Sequence, residues 1–326
     1  MSLPAKRSGR GFDPERLFQH LCRNFPKPDA YWVALSGGLD STVLLKALAE
    51  KRHRLSASLN AIHIDHGLQD DSGDWAAHCR ALCDRLGVPL ICKKVDARPA
   101  RGESPEAAAR AARYGAMETM FPPKTLLLTA HHRDDQAETV LLQLLRGAGI
   151  AGLAAMPHVK PYGEGWHGRP LLDVSRTDLL AWAEQRGERW IDDPTNASIA
   201  PDRNFLRHAI LPRLKTRWTA ASQRLAQSAK NCAGALEALR EQAEEDLCRS
   251  KQAPDRIDLT VLARLSPFRQ RALLLRWFEL CGAPAPSSAK LREVLGQLLQ
   301  AREDAAVCFM LGAYQLRRYV DAAWLI

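Results

Sequence analysis

The chain has 326 residues, more than one compact core usually organises, so we expect two domains. Hydrophobic residues make up 46% and charged residues 25% of the sequence, which is an ordinary soluble globular composition. The formal net charge is +9. This excess predicts a polyanionic partner, nucleic acid before membrane, because no lipidation motif or long basic amphipathic helix stands out.

The N-terminal segment and the cysteines bear on where the protein works. Residues 1–11 are polar and basic with no apolar stretch behind them, and no apolar run approaches the length of a membrane span. The cysteines form no C-x-x-C pair, and Cys79 and Cys83, one helical turn apart, lack the second pair that a zinc or iron–sulfur site would need. We therefore expect a cytoplasmic protein with reduced thiols and no membrane attachment.

The first two thirds of the chain alternate short apolar runs with helical patterns. The predicted strands are AYWVALS, LSASLNAIHIDHG, VPLICKKVD and KTLLLTA. The predicted helices are DSTVLLKALAEKR, DSGDWAAHCRALCDRLG, SPEAAARAARYGAMETMF and RDDQAETVLLQLLRG. This alternation predicts an α/β fold with a doubly wound, mainly parallel sheet. Ligands of such sheets bind beyond the carboxyl ends of the strands.

The remaining third of the chain has a different residue pattern. Residues 216–250 show a helical apolar period, and after a break at KQAPDR two further helical stretches follow, LSPFRQRALLLRWFELCG and SSAKLREVLGQLLQA. The end of the chain has two short strand-like runs, AVCFML and YVDAAWLI. We therefore predict a catalytic domain over residues 1–215 and a smaller, mainly helical domain over residues 216–326. The apolar helical tail is compatible with a homodimer as well as with internal packing.

The segment SGGLDS, Ser36 to Ser41, joins a predicted strand to a predicted helix. Gly37 and Gly38 let the backbone turn tightly and bring N–H groups close to an anion, and the helix N-terminus adds its dipole. Asp40 would repel a phosphate unless Mg²⁺ lies between them, which makes this carboxylate a candidate magnesium ligand. The alternative is a plain turn in which Asp40 or Ser41 caps the helix.

Two further polar clusters follow predicted strands. His63 and Asp65 alternate with isoleucines, so both project to one face, either as site residues or as a satisfied polar strand end. In TAHHRDDQAET a helix beginning near Arg133 would place Asp134 one turn from Glu138, and His131 one turn from Asp135. Paired carboxylates can ligate Mg²⁺ or hold an ammonium group, and a transition-metal site is disfavoured because adjacent histidines are poorly spaced for it.

Basic residues accompany these clusters. Arg110 and Arg113 lie on a predicted helix face and could meet phosphate or carboxylate, although ordinary surface arginines are the alternative. The segment 190–214 is predicted to be an acidic loop that caps a basic helix suited to an RNA backbone. The candidate RNA-binding residues of this region are Arg203, Asn204, Arg207, Arg213, Lys215 and Arg217. A solvated helix face remains the alternative for each.

SGG-x-DS is the signature of the PP-loop, or N-type, ATP pyrophosphatases. The chain also contains the motifs H-x-D-H-G-L, E-x-x-A-R, A-H-H-x-D-D-Q-A-E-T and D-D-P-T-N…R-N-x-x-R. With all of these motifs in order, it closely resembles the tRNA(Ile)-lysidine synthase family from about residue 31 to 215. The C-terminal part resembles the helical tRNA-binding domain of that family, whose longer members carry a further C-terminal domain.

The resemblance implies an ATP-dependent ligase that adenylates the wobble cytidine of an isoleucine tRNA with a CAU anticodon, and then joins L-lysine to it. By this resemblance Ser36, Gly37, Gly38, Leu39 and Ser41 bind pyrophosphate and Asp40 holds Mg²⁺, with His63 and Asp65 also at the nucleotide site. Asp135 and Glu138 are expected to hold the lysine amino groups, and His131 to stabilise the α-phosphate. Arg110 or Arg113 is expected to bind the lysine carboxylate or a phosphate.

Three other functions fit the sequence less well. A PP-loop tRNA thiolase would need catalytic cysteines, and no cysteine flanks the loop or the His-His segment in the sequence. A PP-loop ligase acting on a small molecule fits poorly with the net charge and the arginine-rich tail. A nonenzymatic RNA-binding protein would not be expected to keep Asp40, His131 and Glu138.

Overall fold

The structure is a computed structural model that describes residues 11–65, 72–96, 105–192, 199–300 and 307–326. The chain forms two compact units, Met1–Asn231 and Cys232–Ile326. The division falls inside the long helix α10 (Ala221–Ser250), and the boundary between residues 215 and 216 stays a prediction of the sequence. Among the described helices none has both the length and the apolar composition needed to cross a bilayer.

The first unit is built on a six-stranded sheet with the order β3-β2-β1-β4-β6-β5. All neighbouring strands run parallel except β5, which is antiparallel to β6. The strands are β1 (Ala30–Ala34), β2 (Ser58–Asp65), β3 (Leu90–Lys94), β4 (Thr125–Leu128), β5 (Val159–Tyr162) and β6 (Gly165–Gly168). The predicted α/β class with a mainly parallel sheet is confirmed. The β5–β6 hairpin at the edge was not predicted.

Nine helices of the described residues lie wholly inside this unit. They are α1 (Pro14–Asn24), α2 (Leu39–Glu50), α3 (Ser72–Leu86), α4 (Pro105–Glu118), α5 (Arg133–Leu145), α6 (Ile150–Leu153), α7 (Arg176–Gln185), α8 (Asp202–Phe205) and α9 (Leu211–Arg217). A 3₁₀ turn, Arg52–Arg54, follows α2, and a π-helical turn, Leu206–Ile210, joins α8 to α9. Side chains cap several starts, for example Asp13 on α1 and Ser175 on α7.

The core of this unit surrounds β1 and α2. Eight of the twelve residues of α2 are buried, so this helix is packed on nearly all sides rather than along one stripe. Val33 of β1 and Leu44 and Leu48 of α2 are fully buried in the same apolar cluster. The connection between β1 and α2 is therefore held at both ends by buried elements. It emerges between β1 and β4, where the strand order reverses direction, the usual place for a ligand crevice.

The second unit pairs helices with a small antiparallel sheet of order β7-β8-β11-β10-β9. Its elements beyond α10 are β7 (Lys251–Ala253), β8 (Arg256–Asp258), α11 (Leu259–Ala263), α12 (Pro267–Leu280), α13 (Ser288–Gln300), β9 (Cys308–Leu311), β10 (Tyr314–Tyr319) and β11 (Ala322–Leu325). The prediction of a mainly helical second region is confirmed, but its sheet has five strands rather than the two strand-like runs that the sequence indicated. The KQAPDR segment is a hairpin of three-residue strands, too short to give a period-2 pattern.

Candidate active site

The site lies at the carboxyl ends of β1 and β4, in a cleft of about 570 Å³. The loop after β1 contributes Ser36 and Asp40, and the segment after β4 contributes His131, His132 and the first turns of α5. Because β1 and β4 are neighbours in the sheet, two segments about ninety residues apart in sequence meet here. The cleft is the crevice that the doubly wound fold predicts.

The loop after β1 has a backbone that favours glycine at one position. Gly37 has φ of +86°, in the left-handed region where residues with a Cβ are strained. A Cβ at Gly37 would also lie 3.3 Å from Cys79 Sγ and 3.4 Å from Ile191 Cδ1. The hydroxyls of Ser36 and Ser41 are 3.0 Å apart, and Ser41 Oγ accepts from the Ser36 N–H (3.2 Å). These bonds close the loop on itself.

Helix α2 begins directly from this loop without a side-chain cap. Gly38 is the N-cap residue and offers no side-chain acceptor to the N–H groups of the first turn. Unpaired N–H groups and the positive end of the helix dipole make this end of α2 attractive to an anion. The predicted phosphate-binding character of the segment therefore has a structural basis.

Asp40 lies in the first turn of α2 and has an unusual environment. Its Oδ1 is buried and has no hydrogen-bond partner in the part of the chain that the structure describes. Burial raises the pKa of Asp40, an effect that His132 partly offsets and the charge of Asp135 reinforces. A buried carboxylate oxygen without a donor is normally compensated by a cation or a proton. This carboxylate oxygen suits Mg²⁺, which prefers oxygen ligands.

His132 connects Asp40 to the first turn of α5. It is the N-cap residue of α5: its Nδ1 accepts from the Asp135 N–H (3.3 Å), and its own N–H donates to Asp135 Oδ2 (2.9 Å). A backbone N–H can only donate, so Nδ1 is the acceptor and the ring proton is assigned to Nε2. Nε2 faces Asp40 Oδ2 at 3.7 Å, and the ring is only 2% exposed.

Asp135 and Glu138 form a buried ionic cluster with two arginines. Arg207 donates from Nε to Glu138 Oε1 (2.6 Å), and from Nη2 to Glu138 Oε2 (2.9 Å) and Asp135 Oδ1 (2.8 Å). Arg203 donates from Nε to Glu138 Oε2 (2.7 Å) and from Nη2 to Asp135 Oδ1 (3.1 Å). Glu138 is 0% exposed. Both carboxylates thus accept hydrogen bonds from the guanidinium groups of both arginines.

The charges of this cluster sustain one another. Burial alone would raise the pKa of Asp135, but His132, Arg203 and Arg207 hold it well below its ordinary value. Burial likewise opposes the charge on Arg207, and Glu138 and Asp135 raise its pKa above the ordinary value. Asp135 and Arg207 therefore support each other's charge, and removing one member of the cluster would leave an uncompensated buried charge.

The two arginines reach the carboxylates from one helical stretch. α8, the π-helical turn and α9 run on from Asp202 to Arg217, and Arg203 and Arg207 are four residues apart within this stretch. Four residues make about one helical turn, so both guanidinium groups project from the same side. π-helical turns often occur at functional sites.

Asp134 points away from this cluster and ties three further segments to α5. Its Oδ1 accepts from Lys215 Nζ (2.6 Å) and Ser222 Oγ (2.8 Å), and its Oδ2 accepts from the Arg176 N–H (3.1 Å). Burial opposes the charge, but the bond from Lys215 and the others lower the pKa of Asp134 to about 2. Asp134 therefore anchors α5 to α7, α9 and α10.

His131 lines the cleft beside Thr129 and His167. Thr129 Oγ1 lies 2.7 Å from His131 Nδ1 and 2.8 Å from His167 Nε2. The hydroxyl has one proton, so it donates to one ring and accepts from the other. Arg169 Nη2 is 3.3 Å from the other nitrogen of His167. This chain of side chains fixes the orientation of His131 against β6.

The cleft includes most of the predicted catalytic residues. Its lining includes Ser36, Gly38, Leu39, Asp40, Ser41, Arg113, His131, Asp135, Glu138, Arg207 and Lys215. Arg113 is half-buried, whereas the side chain of Arg110 lies outside the described residues, as do His66–Leu68 and residues 193–196 of two motifs. The roles of these residues stay predictions.

His63 and Asp65 do not line the cleft. They are buried at the end of β2, where His63 Nδ1 donates to the Leu35 carbonyl (2.8 Å). Of the candidate RNA-binding residues, Arg213, Lys215 and Arg217 are exposed. Asn204, Arg203 and Arg207 are half-buried, and both arginines are turned to carboxylates. The assignment of all six residues to RNA binding stays a prediction. Arg203 and Arg207 also have a structural role, because they form ion pairs with the carboxylates of α5.

Sequence reasoning missed two features of the site. The first is His132, which contacts both Asp40 and Asp135. The sequence signal for it was a capping box, in which the residue before the helix, His132, is followed three positions later by an acidic residue, Asp135. The ion pairs of Arg203 and Arg207 join residues 65 to 72 positions apart. No local pattern could have shown them.

A cysteine that is distant from the loop in the sequence lies close to it in the structure. Cys79 does lie behind the loop, with Sγ 3.5 Å from His63 Nδ1. It is 0% exposed, and burial raises the pKa of Cys79, like that of Cys83, to about 12. Both are thiols of α3 that pack into the apolar core, and neither lines the cleft.

Comparison with known proteins gives matches over both units. A family model described as a PP-loop domain matches residues 13–214, and one described as the TilS substrate binding domain matches residues 257–324. A curated tRNA(Ile)-lysidine synthase of Methylococcus capsulatus is 44% identical over 291 residues, which are 89% of this chain and 66% of the relative. That of Alkalilimnicola ehrlichii is 45% identical over 308 residues, 94% of this chain and 69% of the relative.

This chain therefore spans about two thirds of the length of these relatives. A U34-tRNA thiolase from Methanococcus maripaludis, solved with its [4Fe-4S] cluster, superposes with a TM-score of 0.56 at 18% identity over 67% of this chain and 76% of the thiolase. At that identity the likeness concerns the fold alone. The family model over the first unit and the curated relatives agree, and the chain belongs to the tRNA(Ile)-lysidine synthase family.

Proposed function

We propose that this chain joins free L-lysine to C2 of the wobble cytidine of an isoleucine tRNA with a CAU anticodon. In the first step O2 of the cytosine attacks the α-phosphorus of ATP, so that an adenylated cytidine forms and pyrophosphate leaves. In the second step the lysine ε-amino group attacks C2, the C2–O bond breaks, AMP leaves and the attacking nitrogen loses a proton. The products are lysidine, AMP and pyrophosphate, so the chain is a ligase that forms a C–N bond.

The observation that carries the proposal is the meeting of two groups in one cleft. The loop from Ser36 to Ser41 and the first turn of α2 offer anion-binding donors, and the carboxylates of Asp135 and Glu138 on α5 line the same cleft. A reaction that expels pyrophosphate and then accepts a cationic amine needs both. A purely nucleotide-binding protein would not need the buried carboxylates.

In the adenylation step the loop supports charge that develops on the leaving pyrophosphate. The N–H groups of the first turn of α2 are fixed before ATP arrives, because α2 is buried on nearly all sides. Such preorganised donors stabilise the transition state without reorganisation. Asp40, with its unpaired Oδ1, would hold Mg²⁺. When bound, Mg²⁺ would neutralise part of the phosphate charge. His131 would contact the α-phosphate.

In the ligation step the carboxylates of α5 receive lysine. At neutral pH the lysine amine is protonated and must lose a proton before it attacks, so a nearby carboxylate base is needed. Asp135 and Glu138 are the carboxylates in the cleft, and they are held by Arg203 and Arg207. A lysine ammonium group can bind these carboxylates only if at least one of the two arginines turns away from them. Arg113 at the cleft is the candidate for the lysine carboxylate.

The tRNA would be held by positive charge on the first unit. Residues 1–231 have 33 lysines and arginines against 25 aspartates and glutamates. Arg213 and Arg217 are exposed and fit phosphate contacts, and the cytidine must leave its stack to enter the cleft. Binding should weaken steeply with salt because phosphate contacts release counterions.

The test is ATP cleavage with and without the RNA. With ATP, Mg²⁺ and an unmodified CAU isoleucine tRNA, but no lysine, we expect pyrophosphate release of about one equivalent per tRNA and an adenylated RNA. Asp40→Asn should lose this release while its affinity for the tRNA stays unchanged. Release of pyrophosphate that needs no tRNA, or that responds to a small-molecule acceptor, would replace the proposal by another ligase of the same fold.

A further inference from the structure

The sheet of the second unit has an apolar inner face and an opposite face that carries several exposed side chains. Its inner face, which includes Phe309, Leu316 and Leu325, belongs to the apolar core with the helices. Side chains alternate along strands, so the neighbours of these residues point outward. The outward residues include Tyr319 at 74% exposure and Met310 at 58%. We call these outward side chains the outer sheet face.

A single row of side chains crosses this face over four strands. Arg256 of β8 pairs in register with Trp324 of β11, Trp324 with Arg317 of β10, and Arg317 with Cys308 of β9. Directly opposite side chains in antiparallel strands are about 5 Å apart. The row therefore places an indole between two guanidinium groups, with Tyr319 two residues along β10 from Arg317.

The two arginines of this row have no counter-ion. Neither Arg256 nor Arg317 forms an ion pair with any residue that the structure describes. The guanidinium carbon of Arg256 lies 4.7 Å from the Trp324 ring centroid, and its Nε is buried without a hydrogen-bond partner in the described chain. Arg317 Nη2 donates to Gln315 Oε1 (2.8 Å), a neutral acceptor that leaves the positive charge in place. Both keep donors for an external anion.

The carboxylate of Asp258, on the outer sheet face, forms no ion pair with either arginine among the described residues. Asp258 Oδ1 accepts from the N–H and the hydroxyl of Thr260, both at 2.7 Å, and so caps α11. In the unit as a whole basic and acidic side chains nearly balance, with 13 of the former and 12 of the latter between residues 232 and 326. Positive charge on this face is therefore a local feature rather than an overall excess.

We propose that the outer sheet face binds the tRNA substrate, with Arg256 and Arg317 on phosphates and Trp324 and Tyr319 against unpaired bases. This rests on the proposed function and adds the surface and its mode of contact. Arginines beside an exposed tyrosine and a half-buried tryptophan on one sheet face suit RNA, because bases stack on rings and guanidinium groups while phosphates take the charge. The family model described as a substrate binding domain matches residues 257–324, which include β9, β10 and most of β8 and β11 but not Arg256.

A native thiol on this face gives a direct assay. Cys308 ends the row beside Arg317 and is exposed, and Cys248 on α10 and Cys22 on α1 are exposed cysteines elsewhere. Alkylation of the full chain by N-ethylmaleimide is followed site by site by mass spectrometry, with and without saturating CAU isoleucine tRNA. We expect about tenfold slower alkylation of Cys308 in the complex, a protection typical of a contact that excludes the reagent, and about unchanged rates at Cys22 and Cys248.

Charge reversal supplies the matched pair of variants. Arg317→Glu on the outer sheet face and Arg292→Glu on α13 change the net charge equally, and both residues are exposed. Arg317→Glu should weaken tRNA binding about tenfold and lower the salt slope by about one to two, whereas Arg292→Glu should stay within about twofold. Trp324→Leu should weaken binding with an unchanged salt slope. Thermal melts check that each variant is folded.

The outcomes separate this surface from the function itself. If tRNA binds tightly yet Cys308 stays reactive and Arg317→Glu binds like Arg292→Glu, the outer sheet face is not the RNA surface, while the proposed reaction stands. If tRNA does not bind the wild-type chain, the proposed function fails. Protection of Cys308 that grows with protein concentration in the absence of RNA would show a second copy on this face and overturn the inference. Equal protection of Cys248 would also overturn it.

Discussion

Removal of Arg207 should destabilise the first unit more than removal of Arg203. In Arg207→Met the Oε1 of Glu138 loses its donor at 2.6 Å, and Glu138 is 0% exposed, so a buried carboxylate oxygen is left unpaired. Breaking a buried pair in this way costs about 3–5 kcal/mol. Because the Arg207 side chain is 30% exposed, water can compensate in part, and we expect about 3 kcal/mol.

Arg203→Met leaves a better-satisfied carboxylate. Glu138 Oε2 keeps the bond from Arg207 Nη2 at 2.9 Å, and Asp135 Oδ1 keeps the one at 2.8 Å. The expected loss is one to two charged hydrogen bonds whose acceptors stay paired, about 1.5 kcal/mol. Arg213→Met, an exposed arginine on the same helical stretch, is the control and should change stability by less than about 0.5 kcal/mol.

The assay is hydrogen exchange of peptides from α5 in the full chain, which reports local opening free energies despite the two units. Adding Glu138→Gln to Arg207→Met should recover about 2 kcal/mol, because the orphaned charge is removed. Equal losses in Arg203→Met and Arg207→Met, or no recovery in the double variant, would refute the account of the cluster as a mutually dependent set of charges.

Three further predictions concern the loop, the candidate magnesium ligand and the anchor of α5. Asp40→Asn should lower tRNA-dependent pyrophosphate release at least about 100-fold, with tRNA affinity unchanged by filter binding, and equal losses in both would remove Asp40 from the reaction. Gly37→Ala should cost about 1–2 kcal/mol in backbone strain and also abolish ATP cleavage, whereas Gly187→Ala, at φ of +61° with open space around it, should cost similar stability and keep activity. Because the pKa of Asp134 is lowered to about 2, its contribution is fully present above its unfolded pKa near 4 and is lost as the pH falls from about 4 to about 2. Urea melts should therefore show wild type about 2 kcal/mol more stable than Asp134→Asn at pH 6, with a gap that shrinks below pH 4; a gap independent of pH would exclude this ion pair.

The central part of the fold could be read from the sequence because its signals are local. The apolar run into Ser36 and the helical period after Asp40 fix a strand, a turn and a helix, and the glycines mark the turn. The period of 3.6 residues predicted paired carboxylates on α5. It paired Asp134 with Glu138, whereas in the structure Asp135 shares the two arginines with Glu138 and Asp134 binds Lys215 and Ser222. In each case a few neighbouring residues decide the geometry.

The parts that could not be predicted depend on distant partners. Nothing near Arg207 in the sequence indicates that it meets Glu138, and a basic helix next to an acidic loop reads equally well as an RNA-binding surface. Strands of three residues, such as β7 and β8, are too short for alternation to show. The outward position of Trp324 follows only from register within the sheet.

The most direct measurement is the chemical identity of the wobble nucleoside after the reaction. Unmodified isoleucine tRNA with a CAU anticodon is incubated with the chain, ATP, Mg²⁺ and lysine, digested to nucleosides and analysed by mass spectrometry. The account predicts a cytidine that has gained one lysine and lost one water, and no change when either ATP or lysine is omitted. An unmodified cytidine under conditions where the tRNA is bound, or a sulfur-containing nucleoside, would contradict it.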